Sequence, residues 1–202
     1  MATLAEKKTG LFFGSFNPIH VGHLIIANHI VQHSDLDDVW FVISPQSPFK
    51  KKKTLLADYH RYALVEAAVA DNNKLWASNI EFKLPQPSYT THSLAFLEEK
   101  YPMKSFALIM GEDNIIHIDR WKNGNYILEN YPIYVYPRPN VEKSESDILN
   151  IYEHPNVTII NNVPQMEISS SFIRKSIKEG KDVRYLLPDN AWEYLEEMNF
   201  YK

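Results

Sequence analysis

The stretch LFFGSFNPIHVGHLIIANHIV, residues 11–31, decides the fold. A short apolar run stops at Gly14, and apolar residues then recur at helical spacing from Val21 to Val31. This pattern predicts a strand, a loop and a helix. In an open parallel sheet, ligands bind beyond the carboxyl ends of the strands, and the first loop between strand and helix commonly faces a phosphate. The sequence GSFNPIHVGH, residues 14–23 (the opening motif), is therefore the first candidate for a binding site.

The rest of the chain continues to alternate strands and helices. Further strands are predicted at 39–43, 75–82, 105–110, 133–136 and 157–160. Helical spacing runs from Tyr62 to Val69, and another helix is predicted between Thr90 and Glu99. Such alternation is typical of βαβ crossovers, so we predict an α/β, Rossmann-like parallel sheet with helices on both faces.

Two helices are predicted at the end of the chain. Residues 169–179 stop at Gly180, and Asp189 is the predicted N-cap of a last helix. The polar, proline-flanked residues 137–155 are predicted to be a surface excursion rather than a domain boundary. We therefore expect one domain over residues 1–202, with a C-terminal helical segment from about 165 to 202.

Composition excludes several classes of function. With 202 residues, 45% hydrophobic and 23% charged, the chain is an ordinary globular protein. Its formal charge of −4 provides no positive field for nucleic acid, which we exclude as a partner. The absence of cysteine excludes disulfides and thiolate catalysis and favours the cytoplasm. No apolar stretch approaches the roughly 20 residues that cross a bilayer, and we expect neither export nor a membrane partner.

The opening motif carries two histidines that could serve a phosphate. His20 and His23 lie three residues apart at a predicted helix start, where N–H groups are available to an anion. They could equally be loop residues whose ring nitrogens form hydrogen bonds with the backbone. Metal binding is disfavoured because no acidic third ligand follows at short spacing and no HExxH pattern exists. The Walker A and GxGxxG patterns are also absent.

A second motif, ISSSFIR at residues 168–174, has a similar chemistry. Three serines at a helix start offer hydroxyl and N–H groups, and Arg174 lies about one turn further on. Alone, this motif would be read as an ordinary serine cap beside a solvated arginine.

Together, the two motifs resemble the signatures GxFDPxHxGH and ISSTxIR of the HxGH nucleotidyltransferases, and within them of the bacterial nicotinate-mononucleotide adenylyltransferases. Further segments resemble this family in the same order: PSYTTHSL at 87–94, GEDN at 111–114 with Trp121 following, YPRP at 136–139 and YLLPDNAWEYL at 185–195. The resemblance covers nearly the whole chain.

The resemblance implies an enzyme of NAD biosynthesis. The 5′-phosphate of nicotinate mononucleotide would attack the α-phosphate of ATP, giving nicotinate adenine dinucleotide and pyrophosphate without a covalent enzyme intermediate. Mg²⁺ would enter with ATP, and no protein metal ligand is expected. Positioning and charge neutralisation would carry most of the catalysis. A homo-oligomeric state stays open.

The resemblance also implies roles for individual residues. His20, His23 and Arg174 would be catalytic, with His23 on the α-phosphate and Arg174 on the β- and γ-phosphates. ATP binding is expected of Gly14, Ser15, Phe16, His20, His23, Lys50, Gly111, Asp113, Arg138, Ser170, Ser171 and Arg174. Acceptor binding is expected of Ser15, Phe16, Lys50, Tyr89, Thr90, Thr91 and Trp121.

Several of these assignments have a plain structural alternative. Trp121 would stack on the pyridine ring, with Tyr89 as a second candidate, but an isolated tryptophan is as readily a core residue. Amides near Thr90 and Thr91 would meet the nicotinate carboxylate. Lys50 would reach the phosphates, whereas the three lysines that follow it are expected to be solvated.

The chain departs from the family pattern at four positions. Asn17 and His92 stand where aspartate is usual, Ser171 where threonine is usual, and Asn140 where glycine is usual. The imidazole of His92 in place of a carboxylate could alter acceptor choice. Three alternatives stay open: a nicotinamide-mononucleotide or phosphopantetheine adenylyltransferase on the same fold, and a nucleotide-binding protein without catalysis.

Overall fold

A computed structural model describes residues 7–45, 55–138, 144 and 151–202. Within these ranges the strands are β1 Lys7–Gly14, β2 Asp38–Ile43, β3 Leu75–Ser78, β4 Lys104–Gly111, β5 Ile133–Tyr136 and β6 Val157–Ile159. They form one sheet in the order β3-β2-β1-β4-β5-β6. Every pairing is parallel, which confirms the predicted fold class.

Helices cover both faces of this sheet. The α-helices of the described residues are α1 Val21–Gln32, α2 Asp58–Val69, α3 Thr90–Lys100, α4 Glu112–Ile115, α5 Gly124–Asn130, α6 Ser170–Lys178 and α7 Asp189–Glu197. Strand residues alternate between two cores, so that Phe12 faces α1, α2, α6 and α7 whereas Leu11 faces α3, α4 and α5. None of these helices is long and apolar enough to span a membrane.

Several element boundaries differ from the sequence prediction, because β1 and α2 begin four residues earlier and two further boundaries have a specific physical reason. The strand expected over 75–82 ends at Ser78, and a 3-10 turn at Ile80–Lys83 follows it. The apolar pattern continues there because Ile80 is buried in the same core as Leu94 and Leu97 of α3, although it lies in the turn. The N-cap of α7 is Pro188, and Asp189 is the first helical residue, where its carboxylate still lies at the positive end of the helix.

The strand order places a crevice at the carboxyl ends of the central strands. The chain runs from β1 to β2 and β3 on one side and then to β4, β5 and β6 on the other. The carboxyl ends of the neighbours β1 and β4 lie at Gly14 and Gly111. This reversal of strand order is where ligands bind in open α/β sheets, and the opening motif begins there.

Candidate functional site

A cavity of about 580 Å³ lies at this crevice. Its size is in the usual range for small-molecule sites. The opening motif, the second motif and the residues that end β5 all contribute to its wall, which includes Ser15, Asn17, His20, His23, Arg138, Ser170, Ser171 and Arg174. The two motifs, about 150 residues apart in sequence, therefore meet in one cavity.

Gly14 and Phe16 shape the opening motif without lining the cavity. The ring of Phe16 is buried in the core and packs edge-on against Phe12 and Phe41. A Cβ on Gly14 would lie 2.7 Å from that ring, so the glycine admits the phenylalanine. The backbone of Phe16 bends in the left-handed region at φ 42°. Phe16 thus leaves only backbone groups for a ligand.

His23 is oriented by its neighbour. The backbone N–H of His20 donates to His23 Nδ1 at 3.3 Å, and the two imidazole rings stack with centroids 3.7 Å apart. Because Nδ1 accepts this bond, the proton of a neutral His23 ring is on Nε2. His23 therefore lines the cavity as a hydrogen-bond donor.

His20 is held neutral in the free protein. Its side chain is buried, and Nδ1 has no hydrogen-bond partner among the described residues. Burial, helped by the positive charge of Arg138, lowers the pKa of His20 to about 4. A Cβ on Gly22 would lie 3.1 Å from His20 Nδ1, so that glycine makes room for the ring. A neutral imidazole with an unused nitrogen is suited to meet a phosphate oxygen.

The second motif is docked on the opening motif by two hydrogen bonds. Ser170 Oγ donates to the carbonyl of Pro18 at 2.8 Å, and Arg174 Nη1 donates to the carbonyl of Asn17 at 2.6 Å. Ser169 caps α6 as expected, because its Oγ accepts the N–H of Phe172. The start of α6 is thereby fixed at the cavity wall.

Arg174 retains donors for a ligand. Its Nη2 donates to Ser171 Oγ at 3.2 Å, so two of its five N–H groups are used in the described part of the structure. The guanidinium is only partly buried and lines the cavity. This arrangement places a fixed positive charge beside the hydroxyl of Ser171.

A second cation enters the cavity wall from the end of β5. Arg138 Nε lies 3.5 Å from Asp113 Oδ1, and Nη2 donates to Tyr136 Oη at 3.1 Å. Asp113 folds back over Gly111, where a Cβ would clash with its carboxylate. Gly111 and Asp113 lie beside the cavity, but of these predicted residues only Arg138 lines it.

Of the residues predicted for the acceptor, Ser15 lines this cavity, whereas Tyr89, Thr90, Thr91 and Trp121 do not. Tyr89 precedes α3 and Trp121 is half-buried against the core. Lys122 connects them, because its Nζ lies 4.5 Å from the centre of the Tyr89 ring and 3.3 Å from His92 Nε2. The start of α3 and the segment that follows Trp121 are therefore neighbours.

The start of α3 offers donors near this contact. Thr90 and Thr91 are its first two residues, so their N–H groups belong to the first helical turn. Thr91 Oγ1 is buried and has no hydrogen-bond partner within the described ranges. Lys50 lies outside the described residues. Leu55, where the description resumes, lines the cavity.

Sequence reasoning missed Arg61, a fully buried arginine behind the opening motif. Its Nε donates to Leu56 O at 3.1 Å, Nη1 to Ser15 O at 2.6 Å and Ser44 O at 2.8 Å, and Nη2 to Pro45 O at 3.3 Å and Asp58 Oδ1 at 2.6 Å. All five N–H groups of the guanidinium are used. No local pattern distinguishes this arginine from an exposed one, so the sequence carries no signal for it.

The donor set of the cavity suits phosphate rather than a bare metal ion. Its polar side chains are histidine, serine, arginine, asparagine, glutamine and tyrosine. Among the residues that the structure describes, no group of three or more His, Asp or Glu side chains could hold a metal. Arginine and helix N-termini are typical phosphate ligands.

Comparison with known proteins gives a consistent result. A model of the cytidylyltransferase-like family matches residues 11–176. The chain is 53% identical to a probable nicotinate-nucleotide adenylyltransferase of Flavobacterium psychrophilum, over 96% of this chain and 99% of the relative. It is 51% identical to the protein of the same name from Christiangramia forsetii, over 98% of this chain and 100% of the relative.

The fold has a solved counterpart. The Plasmodium falciparum nicotinic acid mononucleotide adenylyltransferase complexed with NaAD superposes with a TM-score of 0.77 at 20% identity, covering 96% of this chain and 97% of the other. The likeness confirms the Rossmann-like architecture. The chain thus belongs to the cytidylyltransferase-like family, in the group of the nicotinate-nucleotide adenylyltransferases.

Proposed function

We propose that this protein transfers the adenylyl group of ATP to nicotinate mononucleotide, forming nicotinate adenine dinucleotide and pyrophosphate in NAD biosynthesis. One observation carries the proposal: His20, His23 and Arg174, from two distant motifs, line one cavity at the crevice of the sheet. The names of relatives at 53% and 51% identity support the same reaction.

The reaction is a direct displacement at phosphorus. A 5′-phosphate oxygen of the acceptor forms a bond to the α-phosphorus of ATP, and the bond from that phosphorus to the bridging oxygen breaks. Pyrophosphate leaves with the bonding electron pair. Negative charge grows on the α-phosphoryl oxygens and on the leaving group, so fixed donors and cations stabilise the transition state.

The cavity supplies such donors at fixed positions. His23 Nε2 donates to the α-phosphate, because Nδ1 is already used by the backbone of His20. Arg174, Ser170 and Ser171 hold the β- and γ-phosphates at the start of α6. The unused nitrogen of His20 meets a phosphate oxygen and regains the hydrogen bond that burial denies it in the free protein.

The nucleoside end of ATP lies toward the end of β4 in this proposal. Arg138 contacts the nucleotide from the cavity wall, and its ion pair with Asp113 keeps the guanidinium oriented. Gly111 allows Asp113 to lie close to the backbone and reach the adenosine. Ser15, Gly14 and Phe16 contribute backbone groups of the opening motif, and Lys50 contributes a charge to the phosphates.

Magnesium enters as part of the ATP substrate. Mg²⁺ brought in with ATP would supply charge neutralisation toward the attacking phosphate. The polar groups of this cavity would hold the phosphate oxygens, and the ion would be held by the triphosphate and water. We expect the enzyme to act in the cytoplasm.

The acceptor binds between the start of α3 and the segment that follows Trp121. Trp121 and Tyr89 provide aromatic surface for the pyridine ring, and the first amides of α3, at Thr90 and Thr91, face its carboxylate. Lys122, which contacts Tyr89 and His92, adds a positive charge at the same place. This charge favours nicotinate over the uncharged nicotinamide.

Pyrophosphate release distinguishes the candidate reactions. Purified protein with ATP and Mg²⁺ receives nicotinate mononucleotide, nicotinamide mononucleotide or phosphopantetheine in separate reactions. We expect release with the nicotinate form and at least about tenfold less kcat/KM with the other two. Preference for another acceptor would contradict the assigned substrate, and retention of ATP without release for any acceptor would indicate a binding protein.

Two histidines at opposite ends of α1 provide a matched control. The variant His23→Ala removes the proposed phosphate donor, whereas His33→Ala changes an exposed histidine just beyond the other end of the same helix. We expect a loss of at least about tenfold in kcat for the first and no change for the second. Equal activities in folded proteins would contradict the role of His23.

A further inference from the structure

The last residues of the chain return to the opening motif. Beyond α7, the N–H of Phe200 donates to Leu195 O at 3.1 Å and closes a turn. Asn199 and Tyr201 both have left-handed backbones, with φ of 52° and 66°. That conformation is unfavourable for a bulky residue such as tyrosine, so tertiary contacts must compensate for it.

One such contact ends on Asn17. The phenol of Tyr201 donates to Asn17 Oδ1 at 2.7 Å, across 184 positions of sequence. The ring packs against the core on the face of the sheet that carries α1. Burial raises the pKa of the Tyr201 phenol, against the opposing charges of Arg174 and Arg61, so the hydroxyl keeps its proton and remains a donor.

Asn17 connects this contact to the cavity. Its Oδ1 also accepts the N–H of Leu56 at 3.2 Å, and its carbonyl accepts Arg174 Nη1 at 2.6 Å. The residue is buried and lies in the cavity wall. A displacement of Asn17 would therefore move the acceptor that holds the guanidinium of Arg174.

We propose that Tyr201 is a positioning residue of the phosphate cavity, whose hydroxyl fixes Asn17 and through it the guanidinium of Arg174. This inference rests on the proposed function, in which Arg174 binds the β- and γ-phosphates of ATP. Tyr201 itself touches no substrate. The side-chain amide of Asn17 is well suited to this contact, since its oxygen accepts both the N–H of Leu56 and the O–H of Tyr201.

The variant Tyr201→Phe removes the hydroxyl and keeps the ring packed. We expect the dissociation constant of ATP, measured by calorimetry without acceptor, to rise about fivefold, as for the loss of one neutral hydrogen bond. The KM for ATP rises by the same factor, while the KM for nicotinate mononucleotide stays within about twofold. The control variant Tyr185→Phe, at a side chain that is 90% exposed, leaves all three quantities unchanged.

A second background tests the route through Asn17. In Asn17→Ala, the substitution Tyr201→Phe should have no further effect on ATP binding, because the acceptor is already gone. In Asn17→Asp, which keeps an acceptor oxygen, the fivefold effect should persist. A similar effect of Tyr201→Phe in all three backgrounds would overturn the inference.

The outcomes separate this inference from the proposed reaction. ATP binding that is weakened in Tyr201→Phe supports the positioning role even when no acceptor is turned over, in which case the proposed function alone fails. Unchanged ATP binding in Tyr201→Phe, or an equal rise in the KM of both substrates, overturns the positioning role even if the wild-type protein is active.

Discussion

The variant Arg61→Lys tests how the opening motif is held in place. Arg61 is fully buried, and its five N–H groups donate to four backbone carbonyls and to Asp58. Two of these carbonyls belong to Ser44 and Pro45 at the end of β2, and one belongs to Ser15 in the opening motif. The side chain therefore joins the end of β2 to the opening motif from within α2.

The expected cost follows from counting donors. Lysine offers three N–H groups from a single nitrogen, so at least two of the five acceptors of Arg61 lose their donor. A buried polar group without a partner costs about 1–3 kcal/mol, which gives a loss of about 2–6 kcal/mol in the free energy of unfolding. That is a large part of the 5–15 kcal/mol that is typical of a domain.

Urea unfolding measures this cost. We expect the transition midpoint of Arg61→Lys to fall at an unchanged m-value, while the exposed control Arg120→Lys stays within about 0.5 kcal/mol of the wild type. A change in Arg61→Lys that is as small as the change in the control would refute the role of the five hydrogen bonds.

Three further substitutions and conditions have defined outcomes. Arg174→Ala should lower kcat/KM at least about tenfold in a folded protein, because it removes a proposed phosphate ligand, and steady-state pyrophosphate release checks it. Since the pKa of His20 falls from 6.5 in the unfolded chain to about 4 in the folded protein, the unfolded state binds more protons in this window. The free energy of unfolding should therefore fall as pH drops from 6.5 to 4, by up to about 3 kcal/mol. The variant His20→Asn should show a weaker dependence of this free energy on pH, measured by urea unfolding at a series of pH values. Gly124→Ala should lose at least about 2 kcal/mol by urea unfolding, because a Cβ would overlap the carbonyl of Ile118.

Each of these expectations has a contradicting result. Wild-type turnover in folded Arg174→Ala would remove Arg174 from the phosphate site. If the free energy of unfolding depends on pH equally in His20→Asn and in the wild type, the His20 ring is not held neutral by burial. A Gly124→Ala protein as stable as the wild type would mean that α5 can shift away from Ile118 without loss of packing.

Hydrophobic periodicity was sufficient to predict the sheet, whereas the meeting of the two motifs was implied by the family resemblance. Apolar runs and helical periods are local signals, and β2, β4, β5 and β6 were predicted within one residue, whereas β1 begins four residues before the predicted run at Leu11. The predicted β3 was too long, because buried apolar residues of a 3-10 turn have the same pattern as a strand. Periodicity reports burial more directly than it reports conformation.

Long-range contacts could not be predicted in this way. The hydrogen bonds from Arg61 to the end of β2 span 16 and 17 positions of sequence, and the bond from Tyr201 to Asn17 spans 184. The residues around Arg61 and Tyr201 in sequence do not indicate these partners. The same holds for Phe16, which was expected to meet a nucleotide and has its ring in the core. Side-chain direction in a loop depends on tertiary packing that local spacing does not report.

Transfer of radiolabel from ATP tests the proposed reaction most directly. With nicotinate mononucleotide as acceptor, label in the α-phosphate of ATP should appear in nicotinate adenine dinucleotide, and label in the γ-phosphate should appear in pyrophosphate. Chromatography separates the two products. Label from the γ-phosphate in the acceptor product, or α-label that stays in a mononucleotide, would contradict adenylyl transfer.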